Sequence, residues 1–85
     1  MVDIDIYTSP YCGFCHRAKI LMNEKKQSYN EIDILNNPVQ FDKMLERSGG
    51  RTSVPQIFID KTHIGGCDEL YALENSGKLN DLLKK

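Results

Sequence analysis

Cys12 and Cys15, three residues apart in Cys12-Gly13-Phe14-Cys15, are the side chains here best suited to chemistry. A thiol becomes a nucleophile when it ionises. Free cysteine does so near about 8.5, and a helix N-terminus or a Cys-x-x-Cys setting lowers that to between roughly 3.5 and 7.5. The same change makes the sulfur a better leaving group. A second thiol one helical turn further on can close a disulfide. The spacing therefore points to thiol–disulfide exchange, with Cys12 attacking and Cys15, a turn inside the helix and more buried, resolving. Two packed core cysteines, or half of a zinc site, would use the same residues. Structural zinc takes four ligands, and only Cys67, His16 and His63 remain to complete such a set, with no second Cys-x-x-Cys.

Two further motifs could build a binding surface beside the cysteines. Ser53-Val54-Pro55 ends in a proline that opens a strand. If that bond is cis, the Val54 backbone turns outward and can pair with an extended peptide as a short added strand; a trans proline would simply start the strand. Gly65-Gly66-Cys67-Asp68 is a glycine turn leading into a helix. The N–H groups of Cys67 and Asp68 can receive a carboxylate there, and Asp68 can pair with a ligand amine or cap the helix. Tyr7 and Phe14 offer apolar walls, with Tyr7 equally suited to the core. Arg51 can hold an anionic group or stand in solvent. His16, Arg17 and Lys19 read as a helix surface, and His63 as a solvated turn residue.

The elements that must position these groups follow from periodicity. Val2-Asp3-Ile4-Asp5-Ile6 alternates with period two and reads as a strand. Phe14, Ala18, Leu21 and Met22 share a helical face, predicting a helix over residues 13–26. A second strand spans 28–34. Asn37 can cap a helix with Pro38 at its first position, Phe41, Met44, Leu45 and Ser48 keep helical spacing, and Gly49-Gly50 ends it. Strand 56–59, a polar turn at 60–63 and a strand from Ile64 to the glycines make a hairpin. Asp68 is expected to cap a helix holding Leu70, Tyr71 and Leu73 that ends at Gly77, and residues 79–83 form a last amphipathic turn or two. The order βαβ, helix, ββα around a Cys-x-x-Cys is the thioredoxin-like pattern, an α/β class with a right-handed crossover.

Eighty-five residues, 40% of them hydrophobic, are expected to make a single domain over 1–85 with a modest core. The net charge of −1 and dispersed basic residues argue against a nucleic-acid partner. No apolar run approaches a membrane span and no leader pattern opens the chain, so a cytoplasmic protein is expected. Three cysteines make no disulfide framework, and in a reducing compartment a Cys-x-x-Cys is catalytic or metal-binding.

Taken together, residues 7–15, Ser53-Val54-Pro55-Gln56-Ile57-Phe58-Ile59 and Ile64-Gly65-Gly66-Cys67-Asp68-Glu69-Leu70 resemble the glutaredoxins, in particular the small bacterial dithiol type. The likeness covers essentially the whole chain. It implies a thioredoxin-like fold whose four-stranded mixed sheet is flanked by helices. It implies a glutathione-disulfide oxidoreductase that reduces protein disulfides and glutathione mixed disulfides, with glutathione as reducing cosubstrate and no tightly bound cofactor. Carried over by position, Cys12 forms the mixed disulfide with glutathione and Cys15 resolves it. Val54 pairs with the cysteinyl backbone of glutathione, Pro55 in cis shapes the groove with Ser53 beside it, Gly66, Cys67 and Asp68 receive the γ-glutamyl end, and Phe14 lines the groove. The partners implied are glutathione and glutathionylated or disulfide-containing proteins, served by a monomer.

This chain departs from the family's common pattern at several places. Gly13-Phe14 stands where Pro-Tyr is common, Ser9 where lysine is common, and Ser53 where threonine is usual. Without that lysine more of the thiolate's stabilisation falls to the helix N-terminus, and Arg51 is the obvious replacement for its anion contact. Family members lacking the motif proline include some that hold a [2Fe–2S] cluster between two subunits, with glutathione supplying thiolates. The alternative implied is a cluster carrier or sensor, dimeric when loaded, with Cys12 as its ligand; otherwise no metal is expected.

Overall fold

The structure, a computed structural model, describes residues 2–84. Along the chain run β1 (Ile4–Thr8), α1 (Gly13–Glu24), β2 (Asn30–Asp33), α2 (Pro38–Ser48), β3 (Gln56–Ile59), β4 (Thr62–Gly65), α3 (Cys67–Asn75) and α4 (Lys78–Leu83). The strands form one mixed sheet in the order β2-β1-β3-β4. β2 runs parallel to β1, while β1–β3 and β3–β4 are antiparallel. The βαβ and ββα halves expected from periodicity are both present, and together they give the thioredoxin-like arrangement.

Alternation along β1 divides the core in two. Ile4 and Ile6 face Ala18, Leu21 and Met22 of α1, Leu70 of α3 and Leu79 of α4, with Ile57 and Ile59 completing the layer from β3. Tyr7 faces the other way and packs with Met44 of α2 and with Phe58. Helices thus cover both faces of the sheet, which is what strands buried on both sides require. Each of the fully buried Ile, Leu, Met and Phe side chains among these contributes roughly 1.5–3 kcal/mol relative to exposure. Tyr7 is a core residue, 2% exposed, and not a wall of the cysteine site. Its hydroxyl accepts from Arg47 Nη1 at 2.9 Å, and the same nitrogen donates to Asp5 Oδ2 at 3.2 Å. That pairing is how a carboxylate is tolerated within a half-buried strand.

Several boundaries differ from the sequence reading, each for a local reason. β1 starts two residues later and runs on to Thr8, because pairing with β2 continues to Thr8↔Asp33. β2 is correspondingly short. α1 closes at Glu24, and Lys26 turns the chain with a φ of 58°. Pro38 does open α2, but Asn37 makes no side-chain cap; its amide donates to the Asp33 carbonyl at 3.5 Å. Gly49 ends α2 in the left-handed region, φ 72°, as expected. The hairpin turn is only Asp60-Lys61, both residues at positive φ (49° and 69°), the signature of a two-residue type I′ connection. His63 therefore lies within β4 and not in a solvated turn.

Candidate active site

The loop between β1 and α1 delivers Cys12 to the N-cap position of the helix, with extended backbone angles of −109° and 107°. The Cys15 N–H donates to Cys12 Sγ at 3.1 Å. Sulfur here does what a serine or aspartate oxygen does at most helix starts: it takes one of the donors the first turn leaves unpaired. The Cys-x-x-Cys spacing is thus the spacing from N-cap to third helical residue. Cys12 Sγ also lies 3.6 Å from the Val54 carbonyl oxygen. The Val54–Pro55 bond is cis, which decides the alternative left open by the sequence.

Cys15 sits one turn inside and is 1% exposed. Burial, then its hydrogen bond with the Cys12 sulfur, pushes its pKa up to about 12; a main-chain contact from Ser9 and the charge of Lys19 act in the opposite direction. Cys67, the first residue of α3, is also buried, and that burial raises its thiol too. Cys12 is the one partly accessible cysteine of the three.

Beside Cys12 lies a groove of about 190 Å³ lined by Phe14, Arg51, Ser53, Val54, Pro55, Gly66, Cys67, Asp68 and Glu69. All eight residues singled out from the sequence as a ligand surface meet there. Phe14, 55% exposed, forms an apolar edge. The helix cap is not as expected, however. Gly66 occupies the N-cap position, with Asp68 already in the first turn. Glu69 reaches back, its Oε1 accepting from the Gly66 N–H at 2.6 Å and from Arg51 Nη2 at 3.1 Å. The Gly66 hydrogen bond, followed by the Arg51 pair, holds the Glu69 carboxyl below its ordinary range. Arg51 is therefore engaged by Glu69 at the groove's mouth. The sequence signal for Glu69 is an acidic residue three places after a glycine helix start, and it is masked by Asp68, a stronger cap former that stands nearer the helix.

A second recess adjoins Cys12 on its other side, lined by Thr8, Ser9, Pro10, Tyr11, Gly13, His16, Lys19, Glu31 and Asp33 along with the sulfur-bearing residue. Lys19 is not a free surface lysine. Its ammonium lies 2.9 Å from Glu31 Oε2, which also accepts from the Thr8 hydroxyl at 3.0 Å. The Lys19 hydrogen bond holds Glu31 below the usual carboxylate range. Position nine carries no cation; Lys19 and Arg51 are matched by glutamates, and Arg17, whose charge acts on Cys67, lies over the Tyr71 ring.

A [2Fe–2S] cluster is held by four thiolates. Cys15 and Cys67 are buried, and among the described residues no group of three or more His, Cys, Asp or Glu could hold a metal ion. One chain therefore supplies no four-thiolate set, and the arrangement expected from the sequence draws instead on Cys12 of each of two subunits and on glutathione thiolates.

A mixed four-stranded sheet with a Cys-x-x-Cys capping the helix after its first strand, beside a cis-proline loop, defines a thiol–disulfide oxidoreductase of thioredoxin-like fold. Comparison with known proteins narrows the class. The family model described as Glutaredoxin matches residues 4–64, and the chain belongs to the glutaredoxin family. It is 52% identical over 84 residues to Glutaredoxin 3 of Escherichia coli K12, covering 99% of this chain and 100% of that protein. A glutaredoxin of Pseudomonas aeruginosa is 46% identical over 83 residues, covering 98% of each. Among solved structures, glutaredoxin from Brucella melitensis superposes with a TM-score of 0.85 at 55% identity, covering 99% of this chain and 90% of that one. A buckwheat glutaredoxin–glutathione complex gives 0.85 at 30% identity, covering 94% and 74%.

Proposed function

We propose that this protein is a glutathione-dependent thiol–disulfide oxidoreductase, acting on glutathione mixed disulfides and on protein disulfides. The observation that carries the reading is the position of Cys12 Sγ. It receives the Cys15 N–H at 3.1 Å and lies 3.6 Å from the carbonyl of Val54, a residue that lines the groove. An extended peptide pairing with the Val54 backbone would bring its own sulfur alongside Cys12. The similarity to a protein solved as a glutathione complex supports the same assignment.

In the reaction proposed, the Cys12 thiolate attacks the glutathione sulfur of a mixed disulfide, and the substrate leaves as a thiolate that takes up a proton. A second glutathione thiolate then attacks the sulfur bound to Cys12, giving oxidised glutathione and regenerating the Cys12 thiolate. With a protein disulfide, Cys12 forms the mixed disulfide with the substrate, and Cys15, losing its proton, displaces the substrate thiolate. Two glutathiones reduce the resulting Cys12–Cys15 disulfide. Glutaredoxin potentials near about −200 to −230 mV suit exchange with a glutathione pool, and a reducing cytoplasmic setting belongs to this reading. Two substitutions test it. Cys12→Ser is expected to lose both reactions to background. Cys15→Ser is expected to keep removal of glutathione from a mixed disulfide while losing most reduction of a protein disulfide. Assays on a glutathionylated peptide and on a disulfide-bonded protein separate the two, and an active Cys12→Ser protein would overturn the assignment.

A further inference from the structure

A chain of hydrogen-bonded side chains runs behind the groove and ends in it. Gln56 opens β3 and is 0% exposed. Its Nε2 lies 3.0 Å from the Ser53 carbonyl oxygen and 3.3 Å from Ser53 Oγ, and its Oε1 lies 2.7 Å from His63 Nε2. One end fixes the polarity of the whole. A carbonyl oxygen only accepts, so the amide must turn its NH2 toward Ser53 and its oxygen toward His63. The His63 Nε2 must then carry hydrogen. At the other end the Ser53 hydroxyl oxygen accepts from Gln56, which leaves its own hydrogen for a different acceptor. Ser53 is exposed and lines the groove next to Val54.

We infer that His63 and Gln56 are positioning residues that hold the Ser53 hydroxyl as a donor to a carboxylate or peptide carbonyl oxygen of the disulfide substrate. This rests on the glutathione reading above. Neither residue touches the groove directly; both act through the loop that does. His63 has a second role available to it, since its ring packs at 5.0 Å and 30° against Phe58. The charges bearing on His63 are those of Arg51 and Glu69, with opposite effect, and burial together with Arg51 keeps the imidazole below its ordinary value. The chain of donors requires hydrogen on Nε2, which the neutral ring supplies in its Nε2–H tautomer. Without that donor the Gln56 oxygen is buried with no partner, and the amide gains by turning away from Ser53.

Three variants separate the donor from the ring. His63→Phe keeps a ring against Phe58 and removes the N–H. His63→Gln keeps an N–H at similar reach and gives up the ring. Ser53→Ala removes the end of the chain at an exposed position. KM and kcat are measured on a glutathionylated peptide, with the rate of Cys12 alkylation recorded as a control on the cysteine site. Loss of one hydrogen bond predicts a rise in KM of about three- to tenfold for His63→Phe and for Ser53→Ala. His63→Gln should stay close to the parent, and the double variant with His63→Phe should be no worse than Ser53→Ala alone, because the two act through one contact. A normal KM in His63→Phe with an impaired His63→Gln would overturn the inference in favour of ring packing, and so would additivity in the double variant. Should His63→Phe fail to fold, an unchanged KM in Ser53→Ala overturns it equally. If the unmodified protein reduces protein disulfides but ignores the glutathionylated peptide, the glutathione reading fails, and this inference with it. If the unmodified protein is active and the variants match it, only this inference fails.

Discussion

Cys12 and Cys15 differ in what surrounds them more than in what they are. Two of the influences that raise Cys15 toward a pKa of about 12, the hydrogen bond with Cys12 and the charge on Cys12, come from the partner sulfur itself. Once Cys12 is committed to a mixed disulfide it carries no charge, and both influences end. Burial, the largest influence on Cys15, persists, so a mixed disulfide at Cys12 eases the ionisation of Cys15 in part. In the reduced protein at about pH 8, iodoacetamide is expected to modify Cys12 and to leave Cys15 and Cys67 untouched until the chain is unfolded. Peptide mass mapping checks this, and equal labelling of Cys12 and Cys15 would contradict the account. That the eight groove residues would come together was legible from the motifs at residues 7–15, 53–59 and 64–70 and the family they resemble, while the roles given to them and to the two cysteines belong to the proposal above. The pairing of His63 with Gln56 was not legible. Their partnership exists only once a two-residue turn sets β4 against β3, and Asp60-Lys61 lacks the asparagine–glycine sequence that would have announced that turn.

The elements that carry the site meet at their ends: the start of α1, the loop before β3 and the start of α3. The glycine pair before α3 shows how strict that junction is. Gly65 has a φ of 118°, and a Cβ there would stand 2.5 Å from Glu69 Oε1. Gly65→Ala therefore strains the backbone and displaces the carboxylate that satisfies Gly66 N–H and Arg51. A loss of about 1–3 kcal/mol is expected, read as a lower urea midpoint with unchanged slope. A midpoint equal to the parent's would show that the turn relaxes freely. Gly13, by contrast, has no atom within 4 Å of where a Cβ would stand and meets no such obstacle. Helix existence was readable from apolar spacing, as with Ala18, Leu21 and Met22. Cap identity was readable in part: Asn37 and Gly49 bound α2 as expected, but the Asn37 side chain turns to the Asp33 carbonyl, and the cap of α3 falls on Gly66 because the glycine turn brings Glu69 back onto its N–H.

Across the whole molecule the shifted groups fall into two sets with opposite consequences. Glu31, Glu69 and His63 are all held below their ordinary values, so the unfolded chain binds protons more readily than the native one. Stability from them is complete above their ordinary values and drains away as pH falls, His63 first, below its ordinary 6.5, and the glutamates below 4.5. Cys15 and Cys67 are held above theirs, so the stability they lend is full below the ordinary thiol value of 9.0 and is lost as pH rises beyond it. Thermal unfolding is expected to be most resistant between these limits. His63→Gln should remove the first part of the acid decline, and Glu69→Gln part of the second. Calorimetry across that range checks both, and a decline in His63→Gln that still begins at the same pH would contradict the assignment. The parallel β1–β2 pair and the β3–β4 hairpin were readable from the strand–helix sequence, while the junction that sets β3 against β1 emerges only from the packing of the two halves.

One atom serves both covalent chemistry and helix initiation, since Cys12 Sγ is the acceptor that closes the first turn of α1. Electron density withdrawn from that sulfur weakens the closure, and by reciprocity any influence that stiffens the turn favours the electron-rich form of the sulfur. Fraying at the start of this helix and the oxidation state of the protein are thus coupled through that one contact, with the Cys12 carbonyl holding His16 N–H in either state.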